Sequence, residues 1–315
     1  MGNLEVIKNA IEEKIFKYAV VIIVLVLWQV LPQMGAINSN YLPPLSRILL
    51  ELFSLSDGNY LYMNIMVSIW RVTIGLAISI FISILSGLTL GFFFSKFSDK
   101  LIPLLRFFIQ INPYSIFPLF IVFLGVGEIA KIGIVIWTSV WPMMFYTISA
   151  AKNVDPMLIK QANSMNISRI KLFFKVIVPA TIPSIFQGIR EGVQMSFFIL
   201  TAAEMTGSTA GLGYIIHNAG MNFLIPRFYA AGVCIVLISV LLNLFFVSLK
   251  KRLMFWKEDM EMFGNISTRK VKRVSKLQVY CIVLIFLFIL IQGGIEVQNA
   301  YNYQNNPQNG TEIIE

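Results

Sequence analysis

The chain has 315 residues, of which 57% are hydrophobic and 13% charged, with a formal net charge of +9. Its apolar residues fall in long unbroken runs, not in the periodic stripes of a water-soluble core, so lipid is the solvent and a soluble globular enzyme is excluded. A single histidine rules out a histidine-rich metal site, and the two cysteines, Cys234 and Cys281, sit inside apolar runs as small packing residues.

A helix needs roughly 20 apolar residues to cross a hydrocarbon core of about 30 Å. In chain order, spans are expected at Tyr18 to Ile37, Val67 to Phe94, Leu101 to Leu124, Ile129 to Ala150, Ala180 to Ala203, Tyr229 to Leu249 and Val279 to Ile295. None alternates apolar and polar residues as a barrel strand does, so the fold class is all-α integral membrane with about seven transmembrane helices. Acidic residues (Glu5, Glu12, Glu13) accompany Lys8, Lys14 and Lys17 ahead of the first run, and no small-residue cleavage site follows it. That pattern predicts a retained span, not a cleaved leader.

The polar stretch Asn38 to Asn64 contains Pro43, Pro44, Asp57 and Gly58. Within it, Leu45, Ile48, Leu49, Leu52 and Phe53 give Pro44 to Leu55 the pattern of an amphipathic helix lying on the membrane surface. The third run holds Pro103, Pro113 and Pro118, with Gln110 and Asn112 between them. Each internal proline frees a backbone carbonyl that lipid cannot satisfy, so this span is expected to face the bundle, as a fixed kink or as a pathway wall.

Lys152 to Pro179 reads KNVDPMLIKQANSMNISRIKLFFKVIVP. Asp155 and Pro156 form an N-cap and first-turn pair, Met157, Leu158, Ile159 and Ala162 continue an amphipathic helix, and a break is expected near Asn166. Ile167, Ile170, Leu172, Phe173 and Phe174 are then apolar enough to dock on the ends of the spans. The segment is either an ordinary connector or a lever that a soluble partner grips.

Arg190 and Glu191 lie within the fifth span, where ionisable groups are costly and face a partner or a watery cavity. Glu204 ends that span before the glycine-rich stretch Gly207, Gly211 and Gly213, as an interfacial carboxylate or a contact for a docking protein. Gln110, Asn112, Pro113, Arg190, Glu191 and Glu204 are thus the pathway or gate candidates. Beyond Leu249 come a basic linker and the last span. The Asn- and Gln-rich tail from Glu296 to Glu315, which has no lysine or arginine, is expected to be disordered.

Lysine and arginine cluster at Lys8 to Lys17, Lys96 to Arg106, Lys152 to Lys175 and Lys250 to Lys276. By the positive-inside bias these segments are cytoplasmic. The net charge is a topology signal with attraction to lipid headgroups, not a nucleic-acid footprint. No glycine is followed by lysine, so the chain carries no phosphate loop, and coupling to ATP requires another subunit.

The segment after Lys152 resembles the EAA motif of ABC importer permeases: E-A-A, three residues, G, nine residues, then I-x-L-P. Lys160, Gln161, Ala162, Asn166, Val176, Val178 and Pro179 occupy those positions in register. Ala162 and Pro179 are identities, whereas Lys160 replaces the glutamate and Asn166 the glycine. Asparagine tolerates the left-handed backbone that glycine supplies.

Further features are similar to the nitrate, sulfonate, taurine and bicarbonate branch of these permeases. They are Leu42-Pro43-Pro44, Ser68-Ile69-Trp70-Arg71-Val72 with Gly75, Gly87 and Gly91, Gln110-Ile111-Asn112-Pro113, Gly125-Val126-Gly127-Glu128 with Lys131, and Ala202-Ala203-Glu204 with Gly211-Leu212-Gly213.

The resemblance implies a type I importer permease fold, with a five-helix core and one extra span at each end. It divides the chain into 1–61, a permease domain at 62–252, and 253–315. It implies ABC ATPase subunits, an external solute-binding protein and a second copy of the chain as partners. It also implies coupling through Lys160, Gln161, Ala162, Asn166, Val176 and Pro179. No cofactor is expected on this chain, since ATP and Mg belong to the partner ATPase. An ion-driven secondary transporter and a non-transporting membrane scaffold are the rival expectations.

Overall fold

The computed structural model describes residues 19–20, 22–56, 59–253 and 276–305, with side chains for all of these except 250–253, 276–283 and 303–305. The charged residues expected ahead of the first span, Asp57 and Gly58, the linker 254–275 and the tail beyond Asn305 lie outside that description. So do the side chains of Lys250, Lys251, Arg252, Lys276 and Cys281.

The described elements are helical: α1 (Ile22–Gln33), α2 (Leu45–Ser56), α3 (Tyr60–Phe93), α4 (Ser95–Gln110), α5 (Pro113–Leu124) and α6 (Glu128–Lys152). They continue with α7 (Pro156–Ser164), α8 (Arg169–Leu172), a π-helical turn (Phe173–Ile177), α9 (Val178–Gly207), α10 (Leu212–Met221), α11 (Ile225–Leu253) and α12 (Lys276–Asn305). Among the described residues five helices are long and apolar enough to cross a membrane, or six if the bent pair α4 and α5 counts as one.

Two expectations about the spans change. The stretch Leu101 to Leu124 is not one helix, because α4 and α5 meet at 90°. A residue before proline is pushed out of the helical region, and Ile111 and Asn112 both adopt extended backbone ahead of Pro113. The Asn112 side chain then accepts from the Tyr114 amide at 3.0 Å and starts α5 afresh. Of the expected first span, Tyr18 to Ile37, residues 19–20 and Ile22–Gln33 are helical and the helix gives way to a turn at Gly35, while Tyr18 and Val21 lie outside the described residues.

The tail also differs from expectation, since α12 runs on to Asn305. Within the polar composition Val297 and Ala300 form a stripe three residues apart, and they pack with Met63, Val67 and Ala210. The same face of α12 places Gly293 against the Trp70 ring, where a methyl group would come within 2.5 Å, and Trp70 Nε1 donates to the Leu290 carbonyl at 3.2 Å.

The chain divides into two compact units, Met1–Tyr62 with Ile215–Cys234 and Met63–Tyr214 with Ile235–Glu315. In the first, α2 is amphipathic as expected, with Ile48 and Leu55 buried and Leu49, Leu50 and Phe53 exposed. Arg227 pairs with Glu51 at 2.9 Å, and Trp28 meets Tyr229 edge-on.

The second unit is organised around α6 and α9. A Cβ on Gly188 would lie 2.9 Å from Tyr146 Cβ and 3.1 Å from Met143 Cα, so the two backbones approach closely because position 188 has no side chain. Ser139 and Ser196 share a 2.7 Å hydrogen bond across the same crossing. Along the same helix, Gly75, Gly87 and Gly91 of α3 receive Val135, Thr147 and Ala151.

Candidate functional site

The elbow between α4 and α5 opens a cleft of about 440 Å³ against α6 and α9. Trp137 and Trp141 stand one turn apart on α6, and residues four apart share a helix face. Phe108 of α4 stacks on Trp141 with centroids 4.4 Å apart and planes 19° apart, while Trp137 meets both rings edge-on. Arg106 lies over the Phe145 ring at 5.5 Å. Gln110, Asn112 and Pro113 enter from the elbow, and Glu191 and Met195 from α9. Glu191 accepts from Gln187 Nε2 at 3.2 Å. Four candidates scattered over 82 positions of the sequence, Gln110, Asn112, Pro113 and Glu191, therefore line one cavity.

Arg190 does not join them. One residue along a helix turns the side chain by about 100°, and Arg190 lies in a second cleft of about 210 Å³ with Gln194, Ser239 and Asn243. Its Nε donates to Asn243 Oδ1 at 3.0 Å. The adjacent charges thus serve different surfaces, and among the described residues Arg190 pairs with an amide, not a carboxylate.

Glu204 is placed differently from either sequence reading. It is 1% exposed, neither bathed by water nor offered to a docking protein. Arg71 Nη1 donates to Glu204 Oε1 and to the Ala210 carbonyl, each at 2.7 Å, and its other nitrogens grip both oxygens of Glu128 at 2.6 and 2.7 Å. Lys131 Nζ donates to Glu128 and to Ser208 Oγ, each at 3.1 Å. The Ser68 hydroxyl lies 2.8 and 2.9 Å from the two Glu204 oxygens, and the Gly213 amide donates to Glu204 at 3.0 Å.

Two cations and two carboxylates balance, as burial demands, because an unpaired buried charge is costly. Gly211, at φ 122°, brings its backbone so near that a Cβ would fall 2.4 Å from the Glu204 carboxylate. The cluster ties α3, α6, α9 and the loop before α10 together at one end of the bundle. Sequence reasoning quoted Arg71, Glu128 and Lys131 without linking them to Glu204. The available signal was equal numbers of opposite charges at the same-side ends of three spans.

The opposite end of α6 carries the cytoplasmic-looking segment. Lys152 pairs with Asp99 there. Asp155 caps α7 by accepting from the Met157 amide at 2.8 Å. Asn166 adopts φ 51°, the left-handed backbone expected where it replaces glycine. Leu172 and Phe173 are buried, Phe173 against Phe92 and Phe93 of α3, whereas Ile170 and Phe174 are exposed.

Lys160, Gln161 and Asn166 are exposed, Val176 is half-buried in the π turn, and Pro179 is exposed in the first turn of α9. Ala162 is only 5% exposed, so it seats α7 on its own chain and leaves Met157, Leu158 and Met165 outward. Among the described residues no group of three His, Cys, Asp or Glu could hold a metal ion.

Apolar helices of spanning length, a polar-edged aromatic cleft within them and a helical segment projecting from one end define a multi-pass membrane transport component. The chain belongs to the family of binding-protein-dependent transport system inner membrane components, whose model matches residues 79–255. It is similar to the taurine transport system permease protein TauC of Escherichia coli (strain K12), 26% identical over 245 residues that cover 76% of this chain and 88% of that protein. It is likewise similar to the putative aliphatic sulfonates transport permease protein SsuC of Bacillus subtilis (strain 168), 26% identical over 240 residues, 76% of this chain and 86% of that one. The nitrate import permease protein NrtB of Synechocystis sp. (strain ATCC 27184 / PCC 6803 / Kazusa) is 28% identical over 248 residues, 75% and 88% respectively. The chain is therefore a membrane permease subunit of an ABC importer, a transport component and not an enzyme, working with an ATPase and a substrate-binding protein.

Proposed function

We propose that two copies of this chain enclose the translocation pathway of an ATP-driven importer, with the cleft at the α4–α5 elbow as its wall. The end of α6 near Lys152 faces the cytoplasm, where the α7–α8 segment is held by the ATPase. A binding protein delivers the solute on the opposite side. This chain binds no cofactor; ATP and Mg reside on the partner. The relatives are named for taurine, aliphatic sulfonates and nitrate, and the solute belongs to the range of small organic anions, sulfonates and vitamin-like heterocycles. Residues 62–252 form the working domain.

One observation carries this reading: the exposed Met157, Leu158, Met165 and Ile170 beside Lys160 and Gln161, on a capped helix with a left-handed turn. A protruding apolar surface at the polar end of a membrane bundle marks a protein contact. Met157→Glu and Met165→Glu, co-expressed with the ATPase, should insert normally yet lose the ATPase or hydrolyse ATP without moving solute. Uptake into proteoliposomes that runs on an ion gradient without ATP would overturn the reading in favour of a secondary transporter. Absence of any uptake by the wild-type complex would favour a scaffold.

A further inference from the structure

We infer that the outward stripe of α9 is a gate closed by a second copy of this chain, with Arg190 of each copy paired to Glu191 of the partner subunit. The inference rests on the two-copy pathway reading above and adds how that pathway is shut. Gly188, Gly192 and Ser196 bury one face of α9 against α6. Along the other face Gln187, Arg190, Glu191, Gln194, Met195 and Phe198 recur at intervals of three and four; Gln194, Met195 and Phe198 are exposed and the rest half-buried. Arg190 lies about 18 Å from the start of α9 and about 26 Å from its end, deep in the span. Lipid cannot satisfy two amides and two charges at that depth, so the stripe meets water or protein.

Neither charge on the stripe meets an opposite charge among the described residues. Arg190 gives its Nε to Asn243 Oδ1 at 3.0 Å, and Glu191 accepts from the neutral Gln187 amide at 3.2 Å. Arg106 lines the same cleft as Glu191, but its guanidinium lies over the Phe145 ring and joins no ion pair among the described residues. Successive residues on a helix point about 100° apart, so Arg190 edges the stripe on one side and Glu191 on the other, with Phe198 projecting between them. Two copies in one membrane share an orientation, and their two-fold axis runs along the bilayer normal. About that axis position 190 of one copy stands within about 1.5 Å of the depth of position 191 in the other, and the left edge of one stripe meets the right edge of its mate. Each Arg190 thereby faces the partner's Glu191, which is the self-complementarity an isologous contact requires. Two cations and two carboxylates balance at mid-span, as they do around Arg71 and Glu204. Tilting of α9 separates the pairs and opens the pathway.

The test expresses two differently tagged copies with the ATPase, one carrying Arg190→Glu and the other Glu191→Arg. Each variant repels its own kind, while the mixed pair regains both contacts. Mixed complexes should exceed matched ones at least about tenfold, since like charges set against each other are strongly disfavoured, whereas random assortment yields equal amounts. The exchanged chain, Arg190→Glu with Glu191→Arg in one copy, should pair with itself as the wild type does. A second measurement leaves the charges alone: Phe198→Cys, in a chain with Cys234→Ser and Cys281→Ser, should cross-link between copies in nucleotide-free complexes and lose that cross-link when ATP is bound. Random assortment of the charge variants, no cross-link without nucleotide, or a cross-link indifferent to ATP would each overturn the gate. Co-purification of two differently tagged wild-type copies reports separately on the two-copy reading, so wild-type pairing with random assortment of the variants sinks the gate alone.

Discussion

Arg71 and Glu204 meet at 2.7 Å between Nη1 and Oε1, although 133 residues separate them, with side chains only 2% and 1% exposed. A contact so deep and so distant in sequence closes the bundle at the end away from α7. Removing one member of a buried pair costs about 3–5 kcal/mol, because the other charge is left without its partner. Glu204→Leu should therefore lower the melting temperature in detergent sharply. Glu128→Gln should cost less, since Glu128 is 33% exposed and water can replace part of what it does. A double variant, Arg71→Met with Glu204→Leu, should recover part of the loss. Equal destabilisation at Glu128 and Glu204 would contradict the buried-pair account.

The α6–α9 crossing gives a packing prediction. Gly188→Leu forces a branched side chain where a Cβ alone already collides with Tyr146 and Met143, and overpacking of this kind typically costs about 1–3 kcal/mol. Ser196→Ala removes one interhelical hydrogen bond, worth about 0.6 kcal/mol in membrane proteins. Melting curves of the two purified variants should differ in that order.

The helices and the left-handed turn at Asn166 were legible because each rests on local chemistry: run length, an Asp-Pro cap, and a residue type that tolerates positive φ. The elbow was only half legible. Pro113 announced a break, but a 90° change of direction depends on where α6 and α9 leave room. The grouping of Gln110 and Asn112 with Glu191, and of Arg71 with Glu204, is tertiary, and no spacing rule in one chain encodes it. The helical end of α12 was missed because composition was averaged over a tail in which the stripe Gly293, Val297 and Ala300 carries the packing.

For the turn after α7, Asn166→Gly should keep wild-type ATPase co-purification and uptake. Asn166→Val, which pays about 1–2 kcal/mol in the left-handed region, should weaken both without affecting membrane insertion. Wild-type coupled uptake in the valine variant would detach this turn from coupling.

Truncation tests α12. Deleting Gly264 to Glu315 should leave the ATPase bound, since the family match ends at residue 255. The deletion uncovers Trp70 and Val67, so the melting temperature should fall, and Gly293→Leu should produce part of that fall in the full-length chain. Complete loss of the ATPase would make α12 a member of the working core.

Orientation is checked at the exposed end of α7. Ser164→Cys should resist a membrane-impermeant thiol reagent in intact cells and react once the cells are opened. Ready labelling from outside would invert the topology.

From Arg169 to Gly207 the chain forms one span of 39 residues, broken by the π turn at Phe173–Ile177 and carrying Pro183 within α9, both close to its Arg169 end. At 1.5 Å per residue it is a bar about 58 Å long. Near its far end Glu204 pins it to Arg71, and at its near end Arg169 adjoins the segment that we propose the ATPase holds. A bar fixed at one end tilts when the other is pushed. Glu191 lies about 20 Å from the pin and Arg169 about 50 Å, so sideways travel reaches the cleft reduced to about two fifths. Spin-label distances from a fixed point on α6 should scale in that proportion between ATP-bound and nucleotide-free complexes, and with Glu204 unpinned by Glu204→Leu the proportion should be lost.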